Sequence, residues 1–175
     1  MHHPPLDFIV LAYPRSGTTW LANWLTTDHS LCLHDPWAIG TPETWLPHFN
    51  LNFSGISCTV SALLPEWLQG YSCPIAIIER DRRDCDASLA AAGLMVPGEV
   101  VTAALDDVNA RRFAFDALWT EDGARALWAH LLPHLPFNAK RYRLLRGMQI
   151  QPTPDQLAAD VAGAERTFSD LLRAA

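Results

Sequence analysis

The chain has 175 residues, a net charge of −6 and a hydrophobic fraction of 49%, which predicts one soluble globular domain with a substantial core. The acidic balance argues against nucleic acid as a partner, because binding a polyanion needs clustered cations. No apolar stretch is long enough to cross a bilayer, and there is no secretory leader, so we expect a cytoplasmic protein without a membrane partner. The cysteines lack the two-residue spacing of zinc or redox sites and are expected to be free thiols; they are Cys32, Cys58, Cys73 and Cys85.

The first third of the chain predicts two strands around a helix. Residues 7–13 form a short apolar, β-rich run that ends at Pro14, as is typical of a buried strand. Residues 18–27 predict a helix, because their large apolar side chains fall on one face. Residues 30–34 predict a second strand. Residues 36–58 are rich in Pro, Gly, Asn and Trp and predict a long irregular connection of the kind that often carries binding residues.

The rest of the chain predicts one more strand and several helices. Residues 74–79 are almost wholly apolar, as a central parallel strand should be. Helices are predicted over 61–69, 84–92, 99–117 and 121–132, and residues 142–150 fit either a strand or a helix end. Strands that alternate with helices predict a three-layer α/β/α fold with a mainly parallel sheet, and the strand order stays open.

A last helix is predicted to run to about residue 173. Its start signal is clear, with Thr153 as the cap, Pro154 at the first position and Gln156 three residues after the cap.

Residues 13–19 (YPRSGTT) predict a cradle for a phosphate group. They lie between a predicted strand and a predicted helix, where backbone N–H groups and the helix dipole favour an anion. Gly17 allows a close approach and Arg15 adds a permanent positive charge. Hydroxyl donors come from Ser16, Thr18 and Thr19. The usual ATP-binding loop has a lysine directly after its second glycine, and Thr18 stands at that place.

A second anion site is predicted at the end of strand 74–79. Arg80 follows the strand at its carboxyl end, where ligands bind in α/β sheets, and Ser88 lies one to two helical turns further on. Such an arginine and serine can hold a second phosphate. Composition alone favours a solvated, mixed-charge helix start instead, with Asp84 near the positive end of the helix dipole.

Residues 13–21 (YPRSGTTWL) resemble the 5′-phosphosulfate loop of the sulfotransferases that use 3′-phosphoadenosine 5′-phosphosulfate (PAPS), which typically reads YPKSGTTWL. The resemblance implies a P-loop-like fold and transfer of a sulfuryl group from PAPS to a hydroxyl or amine, with 3′-phosphoadenosine 5′-phosphate (PAP) as product and no metal. It implies that Arg15 lies near the bridging oxygen of the leaving group. It also implies that Trp20 packs against the adenine, the alternative being a core tryptophan. The chain would be a short member of the family, of bacterial or phage type.

The second segment resembles the family's 3′-phosphate motif, R-N-P-x-D-x-x-x-S. Arg80, Asp84 and Ser88 keep that spacing, whereas Asp81 and Arg82 replace the Asn-Pro pair. The resemblance implies that Arg80 and Ser88 hold the 3′-phosphate. A third family element, Arg-Lys-Gly, has only an echo in Arg146-Gly147, and we expect Arg146 to be structural or at the surface.

The transfer needs a group that takes the proton of the acceptor. Some branches of the family use a glutamate just after the first helix, and His34 and Asp35 occupy about that place. Asp35 is the nearest match to the carboxylate and our first candidate, while an imidazole such as that of His34 suits neutral pH. Both residues could instead be structural, at a strand end and in an Asp-Pro turn. His48 is a further candidate.

Two other functions stay open. A phosphotransferase that uses ATP and magnesium would need the missing lysine and a carboxylate at a strand end, for which Glu79 is a weak substitute. A binding module without turnover would need only the anion sites. A small-molecule, sugar or peptide acceptor fits the sequence equally well, and Trp37 and Trp45 could stack on its ring or pack in the core. The oligomeric state stays open.

Overall fold

In the computed structural model, the described residues are 6–49, 51–148 and 150, with 155–156, 159, 162–167 and 170 beyond them. Within this part of the chain, five strands form one sheet: β1 (Phe8–Ala12), β2 (Ser30–His34), β3 (Phe53–Cys58), β4 (Ile75–Glu79) and β5 (Arg111–Ala114). Every pairing is parallel, and the order across the sheet is β2-β3-β1-β4-β5. The predicted parallel α/β sheet is confirmed.

Helices cover both faces of this sheet. The helices are α1 (Thr18–Leu25), α2 (Pro42–Trp45), α3 (Pro65–Leu68), α4 (Arg82–Ala91), α5 (Gly98–Asp106), α6 (Glu121–Leu131) and α7 (Ala139–Arg146). Side chains of α1, α6 and α7 share one core cluster with Phe8, Val10 and Ala12 of β1. Side chains of α2 to α5 share the other cluster with Ile9 and Leu11. Because alternate residues of β1 enter opposite clusters, the fold has the three predicted layers. No helix in the described ranges is long and apolar enough to cross a membrane.

The sheet has a topological switch point between β1 and β4, which are neighbours. From β1 the chain passes through α1 to β2 on one side of the sheet, and from β4 it passes through α4 and α5 to β5 on the other side. A crevice at such a point, beyond the carboxyl ends of the strands, is where ligands bind in open α/β sheets. Both predicted anion-binding segments follow these two strands directly.

The predicted loop over 36–58 is wrong for its last part, which is β3, and the remainder contains α2 and two 3-10 turns. Strand β3 lies between β2 and β1 and is almost wholly buried. Its sequence, FSGISC, lacks the β-branched run that signals a central strand. Its small side chains are required by close packing, because a Cβ atom at Gly55 would collide with the ring of Phe8.

The predicted helix over 99–117 is wrong in its second half. Helix α5 ends at Asp106, and β5 follows as an edge strand in which only Phe113 is buried. Since the other side chains of β5 are exposed, the strand shows no apolar alternation for a sequence pattern to detect.

Several other predicted elements are confirmed within a few residues, and two need revision. The strands over 7–13, 30–34 and 74–79 and the helices over 18–27, 84–92 and 121–132 are present. The segment 61–69 contains a 3-10 turn and then α3, and the ambiguous segment 142–150 is helical up to Arg146. The start signal of the last helix, at Thr153 and Pro154, lies outside the described residues, while residues 155–156, 159, 162–167 and 170 are helical.

Candidate functional site

The loop between β1 and α1 has an unusual backbone. Arg15 has a φ of 71° and Gly17 a φ of 82°, both in the left-handed region. Gly17 is also the N-cap of α1. Turn conformations of this kind direct backbone N–H groups into an anion-binding concavity. A left-handed conformation costs an arginine roughly 1–2 kcal/mol, and such strain is typical of functional sites.

Three hydrogen bonds join this loop to the segment after β4, and we call them the clasp. Arg15 Nε donates to Ser88 Oγ at 2.9 Å. Arg80 Nη1 donates to the carbonyl oxygen of Arg15 at 2.7 Å, which supports the strained residue. The third contact joins Ser16 Oγ to Cys85 Sγ at 3.4 Å. The clasp therefore brings the two predicted anion-binding segments into one site.

The thiol in the clasp is neutral at ordinary pH. Burial raises the pKa of Cys85, although the hydrogen bond with Ser16 and the charge of Arg80 partly offset that effect. A neutral thiol adds no negative charge beside the two arginines.

A second network anchors the start of the loop. Tyr13 donates its hydroxyl hydrogen to Asp86 Oδ1 at 2.8 Å, and Arg82 Nε lies 3.4 Å from the other oxygen of Asp86. Arg82 Nη1 also pairs with Glu99 of α5 at 2.8 Å. Burial, and then the hydrogen bond to Asp86, raise the pKa of Tyr13, so its hydroxyl remains a donor. Arg82 thus links α4 to α5 above the ring of Tyr13.

His34 and Asp35 lie together beside the first turn of α1. His34 Nε2 is 3.1 Å from Thr18 Oγ1, 3.1 Å from Thr19 Oγ1 and 3.1 Å from Asp35 Oδ2. Asp35 Oδ1 accepts the backbone N–H of Thr59 at 3.0 Å, and Asp35 has a left-handed φ of 39°. The structure therefore places His34 in contact with the predicted cradle, and Asp35 in contact with His34.

The other candidates lie apart from this group. His48 is exposed at the end of a 3-10 turn that precedes β3. Trp37 and Trp45 are 2% and 0% exposed and pack edge-on against each other in the core. Glu79, the weak candidate for magnesium, pairs with Arg112 at 2.8 Å.

Trp20 is a core residue of α1. Its ring is 4% exposed and packs against Trp24 and Trp119, with centroid distances of 5.3 and 5.1 Å. Its indole N–H donates to the carbonyl oxygen of Leu145 at 3.0 Å. The structure thus gives Trp20 a packing role, and its contact with adenine stays a prediction.

Sequence reasoning missed Phe115, which lies beside the site. Phe115 follows β5, lies under the guanidinium of Arg80 at 4.6 Å from its ring centroid, and would be 3.1 Å from a Cβ atom at Gly17. Its place beside the site was not predicted because its segment was predicted to be helical. Arg146, which was expected to be structural or at the surface, is exposed at the end of α7.

A cavity of about 150 Å³ opens beside the clasp. Its lining mixes one arginine with four carboxylates and includes Glu79, Arg80, Asp81, Asp84, Ala114, Phe115 and Asp116. In the part of the chain that the structure describes, no group of three or more His, Cys, Asp or Glu side chains is arranged to hold a metal ion.

Comparison with known proteins gives one structural similarity. No protein-family model and no curated protein matches the chain. Among solved structures, it is similar to the crystal structure of mouse sulfotransferase SULT7A1 complexed with PAP, at 14% sequence identity and a TM-score of 0.45. The similarity covers 93% of this chain and 66% of that one, so the chain spans just under two thirds of the length of that protein.

Proposed function

We propose that the chain is a PAPS-dependent sulfotransferase that moves a sulfuryl group to a hydroxyl or amine of a small-molecule, sugar or peptide acceptor. The clasp is the observation that carries this proposal. Its partners are 65 to 73 residues apart in sequence, yet they meet at the switch point of the sheet. Each segment also resembles a motif with which that family binds its donor: residues 13–21 differ from the typical loop at Arg15, and the second segment keeps the spaced Arg, Asp and Ser but lacks the Asn-Pro pair.

The hydrogen-bond donors and cations of the two segments suit a nucleotide with phosphate groups at two positions. Around the 5′ end, the loop supplies backbone N–H groups, the hydroxyls of Thr18 and Thr19 and the charge of Arg15. Around the 3′-phosphate, Arg80 and Ser88 supply a cation and a hydroxyl. Because Arg15 and Ser88 are in direct contact, the two ends of one ligand would be held by linked residues.

The chain's own residues then have defined roles in the transfer. The bond from sulfur to the bridging oxygen of the 5′-phosphate breaks while a bond from sulfur to the acceptor oxygen or nitrogen forms. Arg15 stabilises the negative charge that develops on the bridging oxygen, and a fixed cation is most effective where charge appears in the transition state. The His34–Asp35 pair takes the proton that the acceptor releases.

Transfer of ³⁵S from labelled PAPS to a panel of phenols, sugars and peptides tests the proposal, and we expect a labelled product together with PAP. PAP binding without transfer to any acceptor would favour a binding module instead. A magnesium-dependent phosphorylated product from ATP would favour a phosphotransferase, and either result would contradict the proposal.

A further inference from the structure

One ring nitrogen has more partners than it can satisfy at once. His34 Nε2 lies 3.1 Å from each of three oxygens, the hydroxyls of Thr18 and Thr19 and one oxygen of Asp35. A ring nitrogen carries either a hydrogen or a lone pair, and a carboxylate only accepts. With a hydrogen, Nε2 donates to Asp35. With a lone pair, it accepts from a threonine hydroxyl, and the Asp35 oxygen loses that donor. The two arrangements exclude each other.

An anion in the cradle selects between them. Each threonine hydroxyl has one hydrogen to donate, and a bound 5′-phosphate would take it, since hydrogen bonds to charged acceptors are the stronger ones. Nε2 then loses its donors and is left with the carboxylate. Asp35 is already oriented to accept, because the N–H of Thr59 holds its other oxygen at 3.0 Å.

We propose that occupation of the cradle sets the tautomer of His34. With the anion bound, the Nε2 hydrogen is donated to Asp35 and the lone pair lies on Nδ1. This inference rests on the proposed function and deepens it. Nδ1 of His34 takes the acceptor's proton, and Asp35 stabilises the resulting imidazolium. His34 is the catalytic residue, while Asp35, Thr18 and Thr19 position it.

In this arrangement, His34 can act as a base only when PAPS is bound. Before the cradle is filled, the threonine hydroxyls compete for Nε2, and the tautomer with a hydrogen on Nδ1 cannot accept a proton there. Once it is filled, the Nδ1 lone pair is available. The acceptor is therefore deprotonated only when a donor is in place to receive it.

Nitrogen-15 spectra of the histidine rings, recorded with and without PAP, test this inference. The His34 signals are assigned by their loss in His34→Gln. We expect PAP to shift His34 towards the tautomer with a hydrogen on Nε2. His130, whose Nε2 is 3.1 Å from the carbonyl oxygen of Ile75, serves as an internal control and should not change.

Calorimetric measurement of PAP binding on the same sample distinguishes failure of the tautomer inference from failure of the proposed function. If PAP binds while the His34 tautomer stays the same, the inference is wrong and the proposed function survives. If PAP does not bind, the proposed function fails and the inference fails with it.

Two sets of variants give a second test. Thr18→Val with Thr19→Val removes both hydroxyls with little change in shape, so His34 should carry its hydrogen on Nε2 even without PAP.

Asp35→Asn keeps an oxygen for Thr59 but turns an NH₂ group towards Nε2, which favours a hydrogen on Nδ1. PAP should then no longer move the tautomer, and kcat should fall by roughly 10²–10⁴ with PAP affinity retained. An unchanged tautomer in the double valine variant, or an unchanged kcat in Asp35→Asn, would overturn the inference.

Discussion

Arg15 combines a strained backbone with a supported side chain. Its φ of 71° is compensated by the hydrogen bond from Arg80 to its carbonyl oxygen, and its Nε is fixed on Ser88. A guanidinium stays charged at any working pH and offers five donors in a rigid fork. This residue is therefore suited to stabilise charge and unsuited to donate a proton.

Arg15→Ala should damage turnover more than donor binding. Because the charge that Arg15 meets develops in the transition state, we expect kcat to fall by about 10²–10³ while the KM for PAPS changes much less. Arg15→Lys keeps the charge but loses the bond from Nε to Ser88, so its loss should be smaller. Steady-state kinetics with labelled PAPS measure both. A raised KM with unchanged kcat would show that Arg15 only binds the donor.

Gly17→Ala should destabilise the loop. The φ of 82° is unfavourable for alanine, and the new Cβ atom would lie 3.1 Å from the Phe115 ring. We expect the free energy of unfolding to fall by about 1–2 kcal/mol, measured by urea denaturation. Gly147→Ala is the matched control, because Gly147 has a φ of −80° and a Cβ atom there would meet nothing closer than 3.6 Å. Equal losses in the two variants would show that strain at Gly17 is not the cause.

The start of helix α5 packs closely against Tyr13, the first residue of the loop between β1 and α1. A Cβ atom at Gly98 would lie 2.5 Å from both Arg82 Nη2 and the hydroxyl oxygen of Tyr13. Glycine at this position therefore lets the ion pair between Arg82 and Glu99 form directly above Tyr13.

Gly98→Ala should disturb two elements at once. We expect a loss of about 1–3 kcal/mol in stability, as for other overpacked sites, and weaker PAP binding because Tyr13 begins the cradle. Thermal unfolding and calorimetry measure the two effects. Val100→Ala, at a position that is 57% exposed on the same helix, should change neither. Unaltered PAP affinity in Gly98→Ala would mean that α5 does not support the loop.

The elements predicted correctly from sequence are those whose signals are local. The order of strand, turn and helix at residues 8–25 follows from one apolar run, one Pro-Arg-Ser-Gly turn and one apolar helix face. Strands β3 and β5 could not be predicted in this way, since β3 owes its burial to its neighbours and β5 is an exposed edge.

The site shows the same division between local and tertiary information. The sequence identified both candidate anion-binding segments, because each is a short motif after a strand. The contacts that join them, such as Arg15 with Ser88, arise only when β1 and β4 pair. For the same reason, the sequence offered His34 and Asp35 as alternatives, whereas the structure brings them into contact with each other and brings His34 into contact with Thr18.

The molecule as a whole carries buried and partly buried thiols that resist ionisation. Burial raises the pKa of the Cys73 thiol to about 11, and it also raises the pKa of Cys32 and Cys58. A thiol in the unfolded chain titrates near pH 8.5. The folded state therefore keeps these protons at a pH where the unfolded chain releases them, so this stabilisation is complete below about pH 8.5 and is lost as the pH rises towards 11.

The Tm should consequently fall between pH 8.5 and 11. Differential scanning calorimetry across that range measures the fall. The slope should be shallower in Cys73→Ala, because that variant removes one of the titrating groups. A Tm that stays constant up to pH 11 would show that these thiols are not buried in the folded protein.

The most direct test of the site is a calorimetric comparison of PAP with AMP, which lacks the 3′-phosphate. If the two segments form one site for both ends of a nucleotide, PAP should bind about 10- to 150-fold more tightly, as expected for one charge-assisted contact of roughly 1.5–3 kcal/mol. Ser88→Ala should narrow that difference, whereas Arg83→Ala, at an exposed position of the same helix, should leave it unchanged. Equal affinity of the intact protein for PAP and AMP would contradict the assignment of Arg80 and Ser88 to the 3′-phosphate.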